Sequence, residues 1–347
     1  MKVEARIAVF QALGRELRMI LDKDPLTESG QKLAEIIDRS GLANAWFTKD
    51  NVRHRLGVLT HTLEEEVLRK WLSPYSIAEE STGKTIGVIS AGNIPAAGAD
   101  DFFQVLLAGH DYLGKLSKED NLILPAIGEV LAELEPSIRH HFRFTEQKLE
   151  GISAVIATGS NNTSRYFEYY FQKYPHVIRR NRNSIAILNG SESVETLQRL
   201  GEDIFRYFGM GCRNVTKLFV PRGYSFDPFF EAILPWADAL MINRKYMNNY
   251  EYNRTVYMLN KEALLDNNFL ILRKAEGIAS PPGVLYYEEY DELVDVEMRL
   301  KADSELIQCV VGELPVTDAV KPGMAQAPEP WDYADGVDVL KFLGDLG

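Results

Sequence analysis

The stretch TIGVISAGNIPAAGADDFFQVLLAGHDYLGK, residues 85–115, decides the fold. Its opening TIGVIS is apolar and β-branched, the composition of a strand covered on both faces. AGNIPAAG supplies small residues and a proline that end the strand, DDFFQVLLAG has helical character, and DYLGKLS returns as a second strand. Strand, glycine-rich turn, helix and strand in that order form a βαβ unit, which runs its two strands parallel.

The pattern repeats downstream. A helix is expected near 122–135, a strand at ISAVIAT (152–158), a turn at GSNNTS, a helix at RYFEYYFQKY and a further strand at SIAILNG (184–190). Upstream, residues 1 to about 75 read as helical, with Ile7, Phe10, Leu13, Leu17, Ile20 and Leu21 recurring near the helical period. Beyond Gly201 a second α/β unit is expected, with strands at CRNVTKLFVPRG, GVLYYEEY and LIQCVVGE. KPGMAQAPEPWDY (321–333) reads as an ordered loop before the closing DGVDVLKFLG.

Bulk properties bound the function. A chain of 347 residues, 46% of them hydrophobic, can bury more than one core, so two domains are expected. Fifty acidic against 38 basic side chains give a net charge of -12, which repels a phosphate backbone and argues against nucleic acid as a partner. No run approaches the roughly 20 apolar residues of a membrane span, and the N-terminus has no signal-peptide core; a cytoplasmic protein with no transmembrane segment is the expectation. The two cysteines, Cys212 and Cys309, stand in such different settings that neither a disulfide framework nor a metal cluster is suggested.

Cys212 lies in FGMGCRNVTKLFV, where glycines strip bulk from its surroundings before an apolar strand begins. A nucleophile facing a cleft and a small buried hydrophobe both fit that setting. Cys309, inside LIQCVVG, reads as inert core. Asn93, in the turn after the first strand, is chemically suited to donate to an oxyanion, although an ordinary strand-to-helix connection fits as well. The turn at Thr158, Gly159 and Ser160 has the small residues and hydroxyls that hold phosphate at a helix start, yet it lacks the G-x-G-x-x-G spacing, and helix capping alone also explains it. Lys115 closes the second strand, where it could meet ribose or phosphate or remain solvated. Arg179, Arg180 and Arg182 form a cluster suited to the phosphates of a nucleotide or coenzyme A, or to a solvated edge. His140-His141 has no carboxylate or cysteine at ligand spacing, so no metal site is expected.

Taken in order, these segments resemble the aldehyde dehydrogenase superfamily, and more closely its acyl-CoA reductase branch, the type that supplies fatty aldehyde to bacterial luciferase. Asn93-Ile94-Pro95 is similar to the family's Asn-x-Pro oxyanion segment, LLAGHDYLGK to its stretch ending in lysine, Thr158-Gly159-Ser160 to its T-G-S turn, and Gly209-Met210-Gly211-Cys212 to its nucleophile segment. The resemblance runs from about 85 to 225 and resumes at PPGVLYYEEYDELVD and PWDYADGVDVLKFL. Where the family's E-L-G-G-K stands, this chain reads Ile178-Arg179-Arg180-Asn181-Arg182, without the glutamate that activates water for hydrolysis of an acyl-enzyme. Met210-Gly211 and His110 are further departures.

The resemblance implies an α/β fold with two Rossmann-like domains and a cleft between them: residues 1–188 as helical segment plus nicotinamide-binding domain, 189–312 as catalytic domain, and 313–347 as a C-terminal return. It implies Cys212 as nucleophile, Asn93 as oxyanion donor, Lys115, Thr158, Gly159 and Ser160 as the hold on NADPH or NADH, and the arginines as a substrate-binding group. The implied substrate is an acyl-CoA or acyl-carrier-protein thioester with coenzyme A as leaving group, and the implied state includes a homo-oligomer. The alternatives are NAD(P)-dependent aldehyde oxidation, or a non-catalytic nucleotide-binding subunit of an acyl-transfer complex.

Overall fold

The computed structural model describes residues 1–313 and 318–346, in two compact units. Residues 1–180 with the chain from Glu329 onward form the first, and residues 181–328 the second. Of the expected C-terminal return, 314–317 and 347 lie outside the described residues, and the rejoining of the first unit begins at Glu329.

The first unit opens with four helices, Val3–Leu21, Glu28–Ala43, Lys49–Thr62 and Glu65–Leu72. The periodic set of the first helix is its buried stripe: Ile7, Phe10, Leu13, Leu17 and Ile20 are in the core, with Leu21 half-buried beside them. Thr27 and Thr48 cap the second and third helices by accepting the N–H of Gly30 and Asn51.

Behind this bundle stands a sheet of five strands: β1 Thr85–Ile89, β2 Asp111–Lys115, β3 Phe142–Thr145, β4 Ala154–Thr158 and β5 His176–Arg179. All pairings are parallel, in the order β3-β2-β1-β4-β5. β3 and β5 were not legible in the sequence, since each is a four-residue edge strand with half-exposed or exposed positions and no continuous apolar run.

One face of the sheet is filled by aromatic rings. Phe102, on the helix Ala99–Leu107, meets Tyr112 edge-on at 4.9 Å and Phe142 at 5.3 Å between ring centroids, geometries that favour the ring quadrupoles. The returning segment closes the other end of this core, with Val339, Leu340 and Leu343 buried in it. Tyr333 accepts the Trp71 indole N–H at 2.8 Å, and Tyr75 donates to Asp338 at 2.8 Å.

The second unit holds a six-stranded sheet: β6 Asn183–Ile187, β7 Val215–Pro221, β8 Leu265–Asp266, β9 Ile271–Lys274, β10 Val284–Tyr290 and β11 Ile307–Val311. Its order is β11-β6-β7-β10-β9-β8, parallel except for the β8–β9 pair. The strand read at SIAILNG is β6. It pairs with β7 and β11, so the second unit begins at Asn181, ahead of the expected 189.

Phe102 is completely buried in the aromatic cluster, so Phe102→Ala removes a large side chain from a site with little room to collapse. The expected loss is about 3–5 kcal/mol, read from the urea unfolding midpoint.

Candidate active site

In a sheet ordered 3-2-1-4-5, the chain winds outward in one direction from β1 to β3 and in the other from β4 to β5. The crevice beyond the C-terminal ends of β1 and β4 is the topological switch point, where doubly wound sheets bind ligands. Residues 90–98 follow β1, Thr158–Ser160 follow β4, and Lys115 ends the neighbouring β2 in register with Ile89. Asn93, Lys115 and the Thr158 turn therefore share one edge of one sheet.

The loop carrying Asn93 is tightly built. A Cβ on Gly92 would sit 2.3 Å from Ser117 Oγ, and one on Gly98 would sit 2.2 Å from Ser90 Oγ, so larger residues at either place would push the turn apart. Ala96 takes a left-handed φ of 49°, which costs a non-glycine residue about 1 kcal/mol or more. The buried Asp120 lies close enough for the backbone N–H groups of Ala96, Ala97 and Ile123 to favour its charged form. Burial pushes the Asp120 carboxyl up to about 6, against the opposing pull of those N–H groups and of Arg55. Asn93 itself is half-buried on the rim of this loop.

On the other side of the crevice, Ser160 is the N-cap of the helix Asn161–Phe171, its Oγ accepting the Thr163 N–H at 3.3 Å. Gly159 donates its N–H to the Arg179 carbonyl at 3.2 Å, which ties the turn to β5. Thr158 and Gly159 are half-buried and Ser160 is exposed. Lys115 is half-buried, with no ion-pair partner among the described residues.

The arginine cluster is dispersed. Arg179 is buried and engages Asp101 through two bonds of 2.8 Å, a bidentate pair inside the first unit. A guanidinium so committed has little left to offer a phosphate. Arg180 bonds Glu168 at 2.6 Å on the surface, and Arg182, in the second unit, donates to the Ile307 carbonyl at 3.4 Å. Three neighbours in sequence thus face three different partners because the chain passes from the edge strand of one sheet into the other unit between them.

In the second unit, Cys212 occupies the turn between a short 3-10 segment, Arg206–Gly209, and β7, at the N-terminal edge of the sheet. It is half-buried. The approach to it is strained: Tyr207, Phe208 and Gly209 all have left-handed φ, at 55°, 57° and 75°. Two aromatic residues in that region cost about 1–2 kcal/mol each and persist only where surroundings over-determine them.

Asn214 is the main determinant. Its fully buried amide donates to the carbonyls of Asp203, at 3.0 Å, and Arg206, at 2.8 Å, while its Oδ1 accepts the Gly211 N–H at 2.7 Å. One side chain therefore binds the end of the helix Val194–Phe205 to the turn that presents Cys212. From below, Ser184 Oγ donates to the Cys212 carbonyl at 3.1 Å and lies 3.0 Å from Cys309 Sγ. Cys309 is half-buried and hydrogen-bonded, and so differs from the inert core position read from its apolar neighbours.

Asp203, Ser184, Asp120 and Asp101 share in these arrangements and were not singled out from sequence, whereas Asn214 was read only as a polar residue after Cys212. Asp203 did leave a signal, since it falls on the apolar face of its helix with Leu197, Leu200 and Ile204. A charge on a buried stripe needs a partner.

Two experiments probe these frameworks. Asp101→Ala leaves the Arg179 guanidinium buried without its partner and is expected to cost about 3–5 kcal/mol, measured by denaturant unfolding. For Asp120, a folded pKa above the unfolded value means that the folded protein binds more protons, so this group's contribution falls as pH rises from about 4 to above 6. The stability difference between Asp120→Asn and wild type should move in the variant's favour by on the order of 1–3 kcal/mol between pH 4 and pH 8, read from unfolding midpoints at each pH.

No protein-family model and no curated protein sequence matches this chain. Among solved structures it is similar to aldehyde dehydrogenase 21 from Physcomitrella patens in complex with the reaction product succinate, with a TM-score of 0.64 and 15% identity over 91% of this chain and 74% of that one. An NAD+ complex of aldehyde dehydrogenase from Bacillus cereus gives a TM-score of 0.64 and 11% identity over 91% and 73% of the two chains. Lactaldehyde dehydrogenase from Escherichia coli gives 0.62 and 14% over 86% and 72%. At these identities the likeness is one of fold, and the chain has the aldehyde dehydrogenase-like α/β fold that the order of its segments from Asn93 to Cys212 implied.

Proposed function

We propose that this protein is an NAD(P)H-dependent reductase of acyl thioesters, with Cys212 as covalent nucleophile and fatty acyl-CoA as the substrate class. The observation that carries the reading is the pairing of a half-buried cysteine on a strained, over-determined turn with a 178–182 segment that contains no carboxylate. A base that activates water is what an aldehyde-oxidising enzyme needs to release its acyl-enzyme.

A nicotinamide nucleotide suits the first unit on chemical grounds. The switch-point crevice, the small turn at Thr158-Gly159-Ser160 and the Lys115 ammonium are the donor set for its phosphates and ribose. When bound in reduced form it supplies hydride.

The chain's own residues do the remainder. The Cys212 thiolate attacks the thioester carbonyl, forming a new C–S bond, and the tetrahedral oxyanion is stabilised by the Cys212 backbone N–H. Collapse breaks the old C–S bond and expels coenzyme A as its thiolate, leaving an acyl-Cys212 thioester. Once the acyl carbon is reduced, the hemithioacetal oxyanion on Cys212 collapses, releasing aldehyde and restoring the thiolate.

The aldehyde dehydrogenases among the similar structures favour a second reading, NAD(P)-linked oxidation of a free aldehyde. Intact-mass spectrometry after exposure to acyl-CoA decides between them, alongside absorbance of the nicotinamide. We expect an acyl adduct on wild type, none on Cys212→Ala, and loss of turnover in that variant by at least about 10³-fold. Acid production from free aldehyde without coenzyme A would reverse the ranking, and undiminished turnover of Cys212→Ala would remove both readings.

A further inference from the structure

The helix that leads to the nucleophile turn ends on a carboxylate with no surface role. Asp203 is fully buried and accepts the backbone N–H groups of Gly323, at 2.6 Å, and Ala325, at 2.9 Å. Those residues belong to a strap, 321–328, the last stretch of the second unit before the chain enters the first at Glu329. Gln326 Nε2 adds a bond of 3.4 Å to the Asp203 carbonyl.

The strap in turn holds the residue beside the nucleophile, since Arg213 Nε donates to the Ala325 carbonyl at 2.7 Å. A closed circuit results. It runs from Asp203 to the strap, from the strap to Arg213, through the backbone to Asn214, and from the Asn214 amide back to the Asp203 carbonyl. Cys212 is the residue adjoining this circuit at Arg213.

We propose that Asp203 is the positioning residue for Cys212, acting through the 323–326 strap and Arg213 to fix the direction in which the nucleophile turn presents its thiol. The proposal rests on the reading of Cys212 as nucleophile. The cost of the arrangement supports it: burial pushes the Asp203 carboxyl up to about 7, with Glu202 pushing the same way, while the two N–H groups and Arg213 pull it down. A neutral hydrogen-bonding side chain would brace a helix end at lower cost, whereas a carboxylate presents two acceptors that hold the strap N–H groups of Gly323 and Ala325 at once.

The test uses the full chain in a Cys309→Ser background, so that maleimide labelling reads Cys212 alone. Asp203→Asn keeps the shape and replaces one acceptor with a donor that faces a strap N–H. It is expected to retain its secondary structure, to lower kcat on acyl-CoA by about 10²-fold with KM nearly unchanged, and to change the labelling rate of Cys212 several-fold. Arg213→Gln cuts the same circuit without touching the buried carboxylate, so it remains informative if Asp203→Asn does not fold, and the same kcat loss is expected.

The double variant should fall no further than the worse single one, because both interrupt one path. Unchanged kcat and unchanged labelling in either folded variant would overturn the proposal, as would strictly additive losses. Labelling also separates the two claims: if Cys212→Ala keeps its turnover the catalytic reading fails, while the labelling rates still decide whether Asp203 positions the thiol.

Discussion

Parallel strands cannot be joined by a tight turn, and that constraint organises the first unit. Each strand from β1 to β4 must be followed by a crossover that returns the chain to the same starting edge, so the loops that leave the strands collect at the opposite edge. Asn93, Lys115 and Thr158 are separated by long stretches of sequence yet share that edge for this reason alone. The reversal of winding between β1 and β4 then opens the crevice between two of their loops.

In the second unit the Cys212 turn obeys a different logic. It precedes β7 instead of following it, so no crossover geometry presents Cys212. Its conformation is set by side-chain hydrogen bonds: Asn214 above, Ser184 below and Arg213 at the side. These bonds sustain the left-handed run at Tyr207 and Phe208, which local sterics alone would reject. Strain held in place by buried polar contacts is the condition under which a reactive group can be kept in one orientation.

Each candidate loop has a buried aspartate beside it: Asp120 faces backbone N–H groups of the Asn93 loop, and Asp203, beside the Cys212 turn, accepts the N–H groups of Gly323 and Ala325. Each carboxyl is raised by burial and partly compensated by nearby backbone N–H groups. The shared device is a carboxyl group placed where backbone N–H groups of an irregular segment face it, and at Asp203 it satisfies two of them directly.

By itself, the sequence determined the strands with continuous apolar runs, the helix with a strict period at its N-terminus, and the order of the chemistry-bearing turns. These are local properties, written in side-chain type and spacing. Only the tertiary structure decided the membership of Asn183–Ile187 in the second sheet, the edge strands Phe142–Thr145 and His176–Arg179, and the fate of Arg179. Strand partnership and ion pairing depend on residues far away in the chain, as Asp101 lies from Arg179 and Ala325 from Arg213. Such distances are closed by packing, and no local pattern encodes them.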